Sequence, residues 1–84
     1  PGKVPRTEKQ KLEDGKRQVL QENRIDEDNL KKGILFDKKL GDAAFIKVLN
    51  FIPNDVTRLD LYSNNLGIES VKALAEKLQI AYAN

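Results

Sequence analysis

The chain contains no cysteine, no histidine and no methionine. Without cysteine, neither a disulfide framework nor a thiolate zinc site can form, and the redox compartment stays undetermined. The lack of both cysteine and histidine excludes cysteine proteases, Ser/His/Asp hydrolases, histidine metal sites and histidine acid–base chemistry at neutral pH. We therefore expect a protein that is not an enzyme and that binds no cofactor or metal.

Long apolar runs are also missing. No segment approaches the roughly 18 apolar residues of a membrane span, and no signal-peptide pattern opens the chain. The five glycines are isolated, so the phosphate-binding patterns GxGxxG and GxxxxGK[ST] are absent. We expect a soluble chain. A start at Pro1 without methionine suggests a processed protein or a piece of a longer one.

The charges are balanced, with 15 basic and 13 acidic residues mixed along the sequence. Such a balance does not give the sustained positive field that nucleic-acid binding usually needs. With 84 residues the chain forms one domain at most, and a core of that size is only marginally stable. The sequence therefore predicts that a partner or more chain supports the fold.

The first 32 residues are polar, with 9 basic and 7 acidic side chains. We interpret residues 1–6 as a flexible arm and residues 7–32 as a helical N-terminal segment or cap. Thr7 is a suitable N-cap for a first helix, although Gly15 costs that helix about 1 kcal/mol relative to alanine.

A second short helix is predicted after Ile25. Asp26 can cap it, Glu27 and Asp28 suit its positive end, and Gly33 suits its C-terminal end. The same acidic triplet could begin a calcium loop. Lys31, however, occupies the position where an EF-hand needs glycine, so capping is the preferred interpretation.

Within residues 54–78 the spacing of the apolar residues changes from one typical of a strand to one typical of a helix. Asn64 lies within the spacing VxxLxLxxNxL, formed by Val56, Leu59, Leu61 and Leu66. The helical half then carries apolar residues every three to four positions, at Ile68, Val71, Leu74, Ala75 and Leu78. This pattern predicts a short strand, a tight turn and an amphipathic helix.

The spacing resembles the leucine-rich repeat, whose consensus is LxxLxLxxNxL, and the helical half resembles its ribonuclease-inhibitor-like subtype. The segment IPNDVTRLDL is also similar to repeats of secreted effector proteins of intracellular bacteria. The resemblance implies that Leu59, Leu61 and Leu66 pack inside a flattened core, closed by Val71, Leu74 and Leu78. It also implies that the Asn64 amide bonds the backbone of its own and the adjoining turn.

A weaker copy precedes this motif at an offset of 26 residues, which places Leu35 on Leu61. It predicts a strand at 34–36 and a helix that Asp42 caps and Pro53 ends. The expected fold is therefore α/β: a short leucine-rich-repeat solenoid of about two strand-turn-helix units behind a helical N-terminal segment. Residues 33–53 would form a degenerate first repeat, and 54–84 the clear one.

Alternation along the predicted strand places Arg58, Asp60 and Tyr62 on the face opposite the leucines. The 26-residue offset adds Ile34 and Phe36. In leucine-rich repeats this concave face binds partners, and Tyr and Arg are common at interface hot spots. The alternative is that Arg58 and Asp60 bind no partner and only make a solvent-exposed face of the sheet polar.

The sequence thus predicts a non-enzymatic protein–protein interaction module that binds another chain, or a second copy of itself, through its strand face and open edge. The alternative is a small structural subunit of a large assembly. In that interpretation a basic N-terminal arm, with six basic residues against three acidic ones in residues 1–17, contacts neighbours or nucleic acid.

Overall fold

The structure is a computed structural model, and it describes residues 7–81. Within that range it contains four α-helices and no β-strand longer than an isolated bridge. The helices are α1 (Glu8–Glu22), α2 (Glu27–Lys32), α3 (Gly41–Leu49) and α4 (Ile68–Ala81). Over these described residues, no helix is both long enough and apolar enough to cross a lipid bilayer.

Local capping positions the first two helices. The Thr7 side chain accepts from the Gln10 backbone N–H, and the Gln10 side chain bonds back to the Thr7 backbone, which is a full capping box. Helix α1 continues through Gly15 without a break. The Asp26 side chain caps α2, and Gly33 ends it in the left-handed conformation at φ +77°. The caps predicted at Thr7, Asp26 and Gly33 are confirmed.

Helix α3 lies at the centre of the core. It packs against both α1 and α4. Its Phe45 and Val48 side chains are fully buried. The remaining buried apolar residues lie between residues 20 and 52: Leu20, Ile25, Leu30, Leu35, Leu40, Leu49 and Ile52. Burial of each such side chain stabilises the fold by roughly 1.5–3 kcal/mol.

The segments before α3 and before α4 run side by side. Ile34 and Asp60 form an isolated parallel bridge. The Asp60 N–H donates to the Gly33 carbonyl at 2.8 Å, and the Asp60 carbonyl accepts from the Leu35 N–H at 2.9 Å. Two further backbone bonds extend the contact, from the Asp37 N–H to the Tyr62 carbonyl at 2.7 Å and from the Gly41 N–H to the Asn64 carbonyl at 2.8 Å.

The predicted leucine-rich-repeat solenoid is wrong. Among the described residues the two segments make only this one bridge, so neither the strand at 34–36 nor the strand around Leu59 and Leu61 forms as a sheet. The backbone explains the difference, because left-handed residues bend it soon after the bridge. Asp37 and Ser63 have φ of 54° and 59°. An extended run this short cannot build a ladder.

Helix α3 does not begin as predicted either. Its N-cap is Leu40, which makes no side-chain cap bond, and the helix already includes Gly41. Asp42 was expected to cap this helix. Its carboxylate instead accepts hydrogen bonds from Gly67 and Ser70, at the start of α4.

Helix α4 is rotated relative to the predicted orientation. Ser70 is buried with 1% of its surface exposed, whereas Val71 is 58% exposed and Leu78 is 47% exposed. Only Leu74 of the three expected core residues packs against the core, together with Ala73. The prediction that Val71 and Leu78 close the core is therefore wrong, and α4 carries apolar side chains on its outer face.

Candidate functional site

Asn64 joins the two adjacent segments. It is 2% exposed, and its Oδ1 accepts from the backbone N–H groups of Lys38 at 3.0 Å and Leu40 at 3.4 Å. Its Nδ2 donates to the carbonyls of Leu35 at 2.6 Å and Leu61 at 3.1 Å. A single amide therefore satisfies four backbone groups that the bend leaves without partners.

Asp42 fixes the start of α4. Its Oδ1 accepts from the Gly67 N–H at 2.7 Å and from the Ser70 hydroxyl. The Ser70 hydrogen bond, followed by the Gly67 backbone bond, holds the pKa of the Asp42 carboxyl below its usual range. These contacts stabilise the carboxylate at the positive end of the helix, so we assign Asp42 a structural role.

Four of the five predicted partner-binding residues lie around one shallow depression. We call it the front depression; its volume is about 330 Å³. It is lined by Lys32, Gly33, Ile34, Phe36, Arg58 and Asp60. The bridge between Ile34 and Asp60 holds the two sides of the depression together. It carries cationic, anionic and apolar groups within one small area.

Tyr62, the fifth predicted residue, lies outside this lining but close to it. Its carbonyl accepts from the Asp37 N–H, so it sits beside the residue that follows Phe36. Tyr62 is 76% exposed and Phe36 is 51% exposed. Two exposed aromatic side chains therefore lie on adjacent segments next to the front depression.

A second depression lies at the other side of the 56–61 segment, against α4. We call it the edge groove; its volume is about 190 Å³. Its walls include Val56, Arg58, Leu59, Leu74, Lys77 and Leu78. Arg58 lines both depressions. Most of the other wall residues are apolar, and none of those within residues 7–81 is acidic.

Asp60 pairs the backbone of the 56–61 segment with the segment before α3. Asp60 directs both its N–H and its carbonyl toward residues 33 and 35. The N–H groups of Leu59 and Leu61 consequently point the other way, because successive residues of an extended chain alternate. Neither of these two N–H groups donates to a partner within residues 7–81.

Lys77 was not predicted as a site residue. Its Nζ donates to the Ile52 carbonyl at 2.8 Å and to the Asn54 side chain at 3.1 Å, so it ties α4 to the turn after α3. Both partners are neutral, and the ammonium charge is not cancelled by an ion pair in the described part of the chain. Lys77 directly precedes Leu78 of the predicted apolar stripe, and no motif in the sequence marks it as a site residue.

The basic residues of α1 are largely paired with carboxylates. Lys11 lies 3.5 Å from Glu8, Arg17 lies 3.1 Å from Asp14, and Lys16 lies 2.8 Å from a carboxylate of α2. That carboxylate is Glu27, whose pKa is lowered by the hydrogen bond and the charge of Lys16. Helix α1 therefore offers little free positive charge. The arm predicted at residues 1–6 lies outside the described residues.

Residues 7–81 contain no group of three or more acidic side chains placed to hold a metal ion. The acidic triplet at 26–28 begins α2 and supplies its cap.

No family model, curated protein or solved structure matches this chain. Together with the helical fold, this result shows that the predicted membership of the leucine-rich-repeat family is wrong. The resemblance rested on the spacing of the leucines around Asn64. In this chain the spacing corresponds to a local bend, and residues 7–81 do not form the family's sheet.

Proposed function

We propose that this chain is a non-enzymatic protein-binding module that recognises its partner at the front depression. The observation that carries the proposal is the pair of exposed aromatic residues, Phe36 and Tyr62, beside a depression that contains Arg58. Aromatic residues and arginine supply most of the binding energy at protein interfaces, because they offer large rigid contact areas and directional hydrogen bonds.

The surroundings support protein recognition over a small-molecule site. The depression is shallow and contains charges of both signs, Lys32 and Arg58 against Asp60. Small-molecule pockets are usually deeper and mainly apolar. The Arg58 guanidinium forms no ion pair within the described residues, so a carboxylate of a partner can bind it without breaking an internal salt bridge.

Selection of short random peptides displayed on phage against the full chain tests this function. We expect enriched peptides whose binding shifts the backbone amide NMR signals of residues 32–36 and 58–62. In the double variant Phe36→Ala, Tyr62→Ala, we expect those peptides to bind at least roughly tenfold more weakly. The matched control is Leu12→Ala, which removes a 65% exposed side chain from α1.

Because Phe36 and Tyr62 are exposed, the double variant should fold, and its circular dichroism spectrum checks this. The proposal fails if no peptide is enriched. It also fails if binding to the double variant and to the Leu12→Ala control is equally strong.

A further inference from the structure

The edge groove differs from the front depression in its charge. Arg58 and Lys77 line it, and no acidic side chain is found among the described residues of its lining. In the described part of the chain, Lys77 donates only to neutral oxygens, those of Ile52 and Asn54. Arg58 is exposed and has no ion-pair partner within residues 7–81. The groove is therefore complementary to an anionic group.

The floor and far wall of the groove are apolar. Val56, Leu59 and Leu74 are only partly buried, and Leu78 is 47% exposed. Ile52, which also lines the groove, is 3% exposed. An apolar side chain that entered the groove would remove these leucines from water, which favours binding.

The backbone at the groove specifies the conformation of the occupant. The N–H groups of Leu59 and Leu61 face away from residues 33–37 and have no partner within the described part of the chain. Unpaired donors that alternate along an edge are satisfied by an added extended chain, as in β-augmentation. A helix has no free carbonyls along its side and cannot satisfy them.

We propose that the edge groove binds an extended peptide segment of a partner protein that is apolar and carries an acidic residue. The peptide carbonyls accept from Leu59 and Leu61, an apolar side chain packs on Leu74 and Leu78, and the carboxylate lies against Arg58. This proposal rests on the proposed protein-binding function and adds a second contact area with its own chemistry.

The same phage selection tests the proposal, with peptides sorted by where they bind. We expect one class of enriched peptides to contain an acidic residue next to apolar residues. This class should slow the hydrogen exchange of the Leu59 and Leu61 amides. It should bind Leu78→Ser at least roughly tenfold more weakly than it binds the unaltered chain.

Two controls make the result specific. Ile68→Ser removes another exposed apolar residue, 64% exposed, from α4 but outside the groove, and should leave binding unchanged. A version of the selected peptide with glutamine in place of its acidic residue should bind more weakly, and the loss should disappear in Arg58→Gln.

The outcomes separate the two proposals. If enriched peptides map only to the front depression, the groove proposal is overturned while the protein-binding function stands. Enriched groove peptides without an acidic residue, or without protection of Leu59 and Leu61, also overturn it. Finally, if the chain alone forms dimers that protect both amides, the occupant is a second copy and the proposal is wrong.

Discussion

The Oδ1 atom of Asn64 lies 3.0 Å from the backbone nitrogen of Lys38, 26 residues earlier in the chain. Ile34 and Asp60, which form the parallel bridge, are also 26 residues apart in the sequence. Asp37 and Ser63, which both have a left-handed backbone conformation, are separated by the same 26 residues. The bends at Asp37 and Ser63 therefore occupy equivalent positions in the two segments. The buried amide of Asn64 links the second segment to the first.

Replacing Asn64 with alanine should destabilise the fold by about 2–4 kcal/mol, because two backbone N–H groups and two carbonyls would lose their partner away from water. Urea unfolding followed by circular dichroism measures the change. Asn50→Ala is the matched control, since Asn50 is exposed and its side chain makes no hydrogen bond within the described residues. A loss for Asn64→Ala no larger than for the control would contradict the structural role of the amide.

Replacing Gly33 with alanine should be much more costly than replacing Gly41. Both glycines have positive φ, 77° and 72°, so both substitutions introduce similar backbone strain of about 1 kcal/mol. A Cβ at Gly33, however, would lie 2.2 Å from the Arg58 carbonyl oxygen, whereas a Cβ at Gly41 would meet nothing within 4 Å. The difference between the two unfolding free energies measures this close approach. Equal losses would show that residues 33 and 58 are not in contact.

Asp42 should make the stability depend on pH in the acidic range. Its pKa is lower in the folded chain than in the unfolded chain, so its contribution is complete above about pH 4 and is lost as pH falls through the folded pKa. In Asp42→Asn the acid-induced loss of stability should be smaller than in the parent. Unfolding free energies at a series of pH values below neutrality test this.

Asp55→Asn is the control for the Asp42 experiment, because Asp55 is exposed and the substitution removes the same charge. An acid profile of Asp42→Asn that coincides with that of Asp55→Asn would show that the bonds to Gly67 and Ser70 do not stabilise the carboxylate.

Alanine substitutions along α4 should show which of its side chains face the core. Leu74→Ala should cost about 1–3 kcal/mol, because Leu74 packs against the core. Val71→Ala should change the stability by less than about 0.5 kcal/mol, since Val71 is 58% exposed. Chemical denaturation compares the two variants directly. A larger loss of stability for Val71→Ala than for Leu74→Ala would contradict this orientation of α4 and support the one predicted from the sequence.

The capping of α1 and α2 was predictable from the sequence because all the partners are close in the chain. Thr7 bonds Gln10, and Asp26 bonds Asn29, each three residues away. Such contacts depend on residue type and spacing alone. The grouping of Ile34, Phe36, Arg58 and Asp60 around one depression also matches the register inferred at the 26-residue offset.

The errors come from contacts between distant parts of the chain. Asp42 is 28 residues from Ser70, and the bond between them directs Ser70 inward. Because neighbouring helical residues differ by about 100°, burying Ser70 turns Val71 toward solvent. An apolar period cannot reveal a polar contact of this kind. Likewise, the alternating leucines at 59 and 61 predicted a strand, but a strand also needs a neighbour that stays extended.

The bonds made by Asn64 also affect how the molecule unfolds. Its side chain and its carbonyl hold Leu35, Lys38, Leu40 and Gly41. Forming the first of these bonds carries the entropic cost of closing the intervening loop, and forming the others adds little to that cost. They should therefore form and break together, so that the second half of the chain separates from the first in one cooperative step.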